Sequence, residues 1–175
     1  MDVLKSLSLL VFLSLASCSN LPRYPLPASA VPTGFYENRD TPGLALLEYR
    51  IARYFARSDR PYPTVCAAAV QRGQGNDKRD PAPLSPEVEE RLLARFPGLS
   101  ALTHCKRAGV GYEDARTGAA AAVFDVHEIE CRSPDRCSAW TGYLGDGPHG
   151  WSWYWIEWKR GAWQLRERKL DIVVT

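Results

Sequence analysis

The sequence predicts an α+β fold in which two helices pack on a curved antiparallel sheet of about four to five strands. Three observations carry this. Apolar residues recur at helical spacing in two stretches of the first half, the hydrophobic period changes from 3.6 to 2 near residue 119, and Gly- and Pro-containing turns separate the alternating runs that follow. Helices followed by a run of strands place the helices on one face of the sheet.

The first helix starts at Thr41-Pro42, an N-cap followed by proline at the first helical position. Leu44, Leu47, Ile51 and Tyr54 or Phe55 form its apolar stripe, with Arg50, Arg53 and Arg57 on other faces. Pro61 and Pro63 close this region, and residues 64–70, small and β-branched around Cys66, read as a short strand. Residues 71–83 are polar and rich in Gly, Asp and Pro, which predicts an exposed loop. Ser85-Pro86-Glu87 restarts a helix whose buried stripe is Val88, Leu92, Leu93 and Phe96, and Pro97-Gly98 stops it. Residues 106–118 read as a loop. Four strands at 119–131, 137–144, 151–159 and 162–174 then form an antiparallel meander. This element order resembles the cystatin-like and NTF2-like classes, and the resemblance implies an arrangement of helices on a curved sheet and no activity.

The last hairpin permits a register. With Arg160-Gly161 as a two-residue turn, Trp158 lies opposite Trp163, Ile156 opposite Leu165, and Trp155 opposite Arg166. One face then carries Tyr154, Ile156, Trp158, Trp163 and Leu165 and belongs against the helices. The other carries Trp151, Trp153 and Trp155 with Glu157, Gln164, Arg166 and Arg168, a candidate binding face for a protein or a glycan. The alternative is that these tryptophans are covered by the loop at 71–83 or the one at 106–118.

At the N-terminus, Lys5 precedes an apolar run from Leu7 to Leu15, too short to span a bilayer, and Ala16-Ser17 supply a small-residue cleavage site. Leu15-Ala16-Ser17-Cys18 resembles the lipobox of bacterial lipoproteins. The resemblance implies cleavage before Cys18, lipidation of Cys18 with diacylglycerol and a third acyl chain such as palmitate, and anchoring to the membrane through that lipid. Ser19 after the cysteine, rather than Asp, implies the outer membrane, periplasmic side. The expected organisation is a signal peptide at 1–17, a lipidated Cys and Pro-rich tether at 18–40 (Pro22, Pro25, Pro27 and Pro32), and a single α+β domain at 41–175. A formal charge of +2 gives no reason to expect nucleic acid as a partner.

If lipidation consumes Cys18, four cysteines remain, and an oxidising compartment makes two disulfides the expectation. Four cysteines allow three pairings. Cys131–Cys137 is favoured because residues 132–136 read as a polar turn between two strands, and Cys66–Cys105 follows by elimination. The C-x5-C spacing does not match zinc ligation, so no metal is expected, and nothing in the sequence calls for a cofactor.

Catalytic signals are sparse. His104, His127 and His149 fall in no H-E-x-x-H pattern, and no G-x-S-x-G is present. His127 and Glu128 alternate on a strand and point to opposite faces. Asp125, Glu128 and Glu130 read as solvated strand positions. Asp146 and His149 share a Gly/Pro turn and are a candidate acid/base pair only if the chain is an enzyme. The catalytic residues are therefore unknown. The expected function is a lipid-anchored periplasmic binding or interaction protein of the cell envelope, of accessory, inhibitor or immunity type. The alternative is a small periplasmic hydrolase or isomerase with its pocket in the curved sheet and with His127, His149 and Asp146 as its candidate residues.

Overall fold

The computed structural model describes residues 34–69, 81–145 and 151–168. Cys18, Asp146 and His149, the tether up to Thr33, most of the predicted loop at 71–83 and the end of the last predicted strand lie outside the described residues.

Helix α1 (Pro42–Phe55) begins with proline in its first turn, but Thr41 does not cap it. The Thr41 hydroxyl instead bonds the Asn38 carbonyl, 3.3 Å away. Helix α2 (Pro86–Arg95) is capped as its sequence indicates, with the Ser85 hydroxyl accepting from the Val88 N–H. Among the described residues seven strands accompany the two helices where four to five were expected: β1 (Thr64–Ala67), between the helices, and β2 (Cys105–Ala108), β3 (Gly111–Asp114), β4 (Ala120–Ser133), β5 (Arg136–Leu144), β6 (Ser152–Lys159) and β7 (Ala162–Arg168) after them. The two unexpected strands, β2 and β3, form a hairpin within the stretch read as a loop. Each has only four residues, and their polar Lys106-Arg107 and Glu113 mask the alternation that marks longer strands.

The sheet runs β2-β3-β4-β5-β6-β7, antiparallel throughout, and β1 joins β4 in parallel. Ala121 partners both Thr64 and Tyr112, whereas Val123 partners both Cys66 and Leu144. Strands β3 and β5 therefore share one edge of β4 in succession, with β1 along the other. The main core lies between α1, α2 and one sheet face, where Leu46, Leu47, Ile51 and Leu92 meet Phe124, Val126, Tyr154 and Ile156. It extends further toward the N-terminus than residue 41, since Phe35, in a short 3-10 turn, is buried in it.

A second, smaller core sits on the opposite face of the sheet, over the start of β4. It comprises Cys66, Ala68, Cys105, Tyr112, Ala121 and Val123, with Leu102 and Leu144 packed against it. Both faces of the first half of β4 are therefore buried, which explains its unbroken apolar run from Ala119 to Phe124. Both predicted disulfides are present, Cys66–Cys105 joining β1 to β2 and Cys131–Cys137 bridging β4 and β5. Cys131 pairs directly opposite Cys137, and Ser133 opposite Arg136, so the five-residue turn expected between these strands shortens to Pro134-Asp135.

Asp114 ties this second core together. One carboxylate oxygen accepts the Thr64 hydroxyl at 2.7 Å, and the other accepts the N–H groups of Arg116 and Thr117 at 2.8 and 3.0 Å. The Thr64 hydroxyl, aided by those backbone N–H groups, lowers its pKa to about 2. A carboxyl whose folded pKa is depressed contributes stability that is complete above its unfolded value and is lost as pH falls through the folded one. Asp114→Asn should therefore reduce the unfolding midpoint at pH 5, with the gap to the parent protein closing towards pH 2. A gap that stays constant over that range would contradict this role.

Candidate binding face

The face opposite the helices is built by four strands in register. One row across it is His127, Trp140, Trp153 and Arg168; the next is Glu130, Ser138, Trp155 and Arg166; the third is Ser133, Arg136, Glu157 and Gln164. The β6–β7 register is the one the sequence predicts, and Arg160 and Gly161 both adopt positive φ, 56° and 79°, as a two-residue hairpin turn requires. Tyr154, Ile156 and Trp163 face the main core and are buried. Trp151, Trp153 and Trp155 lie on the other side and belong to neither core cluster.

The rows owe their alignment to a bulge. His127 pairs with Trp140 and Glu130 with Ser138, so Glu128 and Ile129 together oppose Ala139. Glu128 takes φ of 52° to accommodate this. Simple alternation would place Glu130 on the helix side; the bulge brings it onto the face that carries His127. Asp125 is on this face too, and it is buried rather than solvated, opposite Gly142 at the border of the second core.

The aromatic groups are held by one another and by arginine. The Trp153 and Trp155 rings meet edge to face at 4.2 Å, and His127 meets the Trp151 ring at 4.7 Å. The Arg168 guanidinium lies 5.4 Å from the Trp153 centroid, and that of Arg132 lies 5.7 Å from Trp155. Trp155 is 38% exposed, while Trp140, Trp151 and Trp153 are half-buried. An open groove of about 710 Å³ surrounds Trp155, with Arg132, Arg136, Lys159, Arg166, Glu130 and Glu157 among its lining. Glu157 pairs with Lys159 and, at 3.8 Å, with Arg136. The Lys159 ammonium is the main cause of a Glu157 pKa below the usual carboxylate range.

Trp140, Glu130, Arg132 and Ser138 are members that sequence reasoning missed. Alternation along β5 from the buried Cys137 would have placed Ser138 and Trp140 outward; Glu130 could not be placed without the bulge. The stretch read as a covering loop, residues 106–118, contains the β2–β3 hairpin that contributes to the second core at the start of β4, away from the tryptophan rows. His104 lies in a separate 3-10 turn beside Cys105, whose thiol is consumed by its disulfide. Among the described residues no group of three or more His, Cys, Asp or Glu side chains is placed to hold a metal ion. Comparison with protein-family models, curated proteins and solved structures finds no match to this chain.

Proposed function

We propose that this chain is a lipid-anchored binding protein on the periplasmic side of the bacterial outer membrane, tethered through Cys18 and capturing an envelope partner on its tryptophan face. The observation that carries this reading is the placement of Trp140, Trp151, Trp153 and Trp155 outside both cores, with Arg132, Arg166 and Arg168 against or beside them. Aromatic and arginine side chains dominate the energetics of recognition surfaces, and four such rings on the outer face of a sheet gain nothing for the core. Two disulfides fit an oxidising compartment.

The enzymatic alternative draws on one observation, the His127 Nδ1 lying 3.6 Å from an Asp125 carboxylate oxygen that has no hydrogen-bond partner among the described residues. Among the described residues this pair is where acid/base chemistry would reside. Complementation of a deletion strain under envelope stress separates the two readings. His127→Gln should preserve function, whereas Trp153→Ala/Trp155→Ala should abolish it with the protein still folded and abundant. Cys18→Ser, in the same assay, should release the chain from the membrane fraction. Loss of function in His127→Gln with full function in the tryptophan variant would sink the binding reading.

A further inference from the structure

We infer that the groove around Trp155 takes a saccharide that carries carboxylates, one sugar ring stacking on the indole and its carboxylate lying between Arg132 and Arg166. This rests on the binding reading above and names its ligand. Trp155 is one of two large apolar side chains exposed among the described residues, and it sits on the floor of the groove rather than on a protruding turn. Its ring is flanked by Arg132 from the β4 side and by Arg166 directly opposite on β7.

The charges around it are unequal in their commitments. Arg136 and Lys159 are both engaged by Glu157. Among the described residues Arg132 meets no carboxylate and Arg166 acts on Glu157 only at longer range, so two guanidiniums beside an aromatic platform retain bidentate donor capacity for a planar anion. Among the described residues four cationic side chains and two carboxylates line the groove, leaving a modest positive excess. Glu130 and Glu157 would repel a densely charged polyanion such as a polyphosphate. A ligand with isolated carboxylates among neutral polar groups suits this balance better.

The remaining lining points the same way. Ser138 beneath Trp155, Gln164 and Glu130 offer both donors and acceptors, as hydroxyl-rich ligands require. The apolar C–H face of a pyranose stacks on an indole, and its hydroxyls radiate towards such groups. Trp153 and Trp155 alternate along β6 with their rings in edge-to-face contact, and Trp151 lies just before the strand, so the aromatic surface beside Trp155 extends along the strand direction. A peptide bound to a sheet would instead pair with an edge strand or seat an apolar side chain in a closed pocket. This groove lies on the sheet face, is open, and is lined mostly by polar and charged residues around Trp155.

The test uses the full mature chain in detergent, titrated calorimetrically with two probes of equal length. One is a tetrasaccharide of alternating N-acetylglucosamine and N-acetylmuramic acid with free lactyl carboxylates; the other is chitotetraose, which lacks them. The carboxylated probe should bind about tenfold tighter or better, as expected for a charge-assisted hydrogen bond, and its advantage should shrink with added salt. Arg166→Gln, at an exposed position, should bring the two probes to the same affinity. Trp155→Ala should weaken both. Equal binding of the two probes by the parent protein, no binding of either, or a preference that survives Arg166→Gln would each overturn the inference. Loss of complementation by the Trp153/Trp155 variant without any saccharide binding would overturn it too and leave the binding reading intact, whereas full complementation by that variant would overturn the binding reading itself.

Discussion

Replacing Cys66 and Cys105 together by alanine should lower the unfolding free energy by about 4 kcal/mol, whereas the same change at Cys131 and Cys137 should cost about 2 kcal/mol. The difference follows from the chain each bond closes, a separation of 39 residues against 6. A long closed loop removes more conformational freedom from the unfolded chain than a short one does. Against a typical domain stability of about 5–15 kcal/mol, the longer ring is a large fraction of the total. Native packing bears on both bonds. Cys66 is fully buried and Cys105 nearly so, in a second core otherwise rich in alanine, where few side chains could fill the space left by sulfur. Cys131 is exposed and loses little packing, whereas Cys137 is buried in the main core and loses more. Denaturant titration of the two double variants measures the ordering directly. Equal losses would mean that loop closure is not the source of the stabilisation.

The same sulfur positions show how far the sequence could be read. Counting cysteines and recognising a turn gave both pairings, because disulfide geometry is local and a parity argument is strong. The Trp-bearing hairpin was legible for a related reason: a two-residue turn fixes every cross-strand partner beyond it, and Arg160-Gly161 supports such a turn. What escaped were features decided by tertiary contacts. The β2–β3 hairpin is too short and too polar to show a period, and it is held by the Cys66–Cys105 bond and Tyr112 packing rather than by its own pattern. The bulge at Glu128 has no turn residue to announce it. One inserted residue nonetheless moves Glu130 to the other face and assembles the row that includes Ser138, Trp155 and Arg166. Glu48 escaped most completely, since a charged residue within a helix is read as solvated unless its partners are known.

Glu48 is fully buried on α1, and Glu48→Ala is expected to cost about 3 kcal/mol or more, the usual consequence of removing one partner of a buried ion pair. Its carboxylate joins three parts of the chain. It pairs with Arg95 at the end of α2, and at 2.7 Å it accepts the N–H of Phe35, whose ring lies under Arg91 with the guanidinium 4.4 Å from its centroid. Gly34 is needed beside it, because a Cβ there would come within 2.7 Å of the carboxylate. Truncation leaves the Phe35 N–H without its acceptor and Arg95 without this carboxylate, so the N-terminal turn should undock as stability falls. Glu48→Gln keeps an acceptor for Phe35 and should cost less. The pH dependence then isolates the charge. Burial raises the Glu48 pKa above 4.5, against the opposing pull of Arg95. In the window above 4.5 the folded state therefore holds a proton that the unfolded state has released, so this group's contribution to stability declines as pH rises through the raised value. Glu48→Gln has no such proton to lose, and its stability relative to the parent protein should improve across that window. Asp114 acts in the opposite direction and at lower pH, below about 4, so the two effects separate in one series of unfolding curves from pH 2 to pH 8. A Glu48→Gln profile parallel to that of the parent protein above pH 4.5 would show that the carboxylate is ionised throughout and that Arg95, rather than burial, governs it.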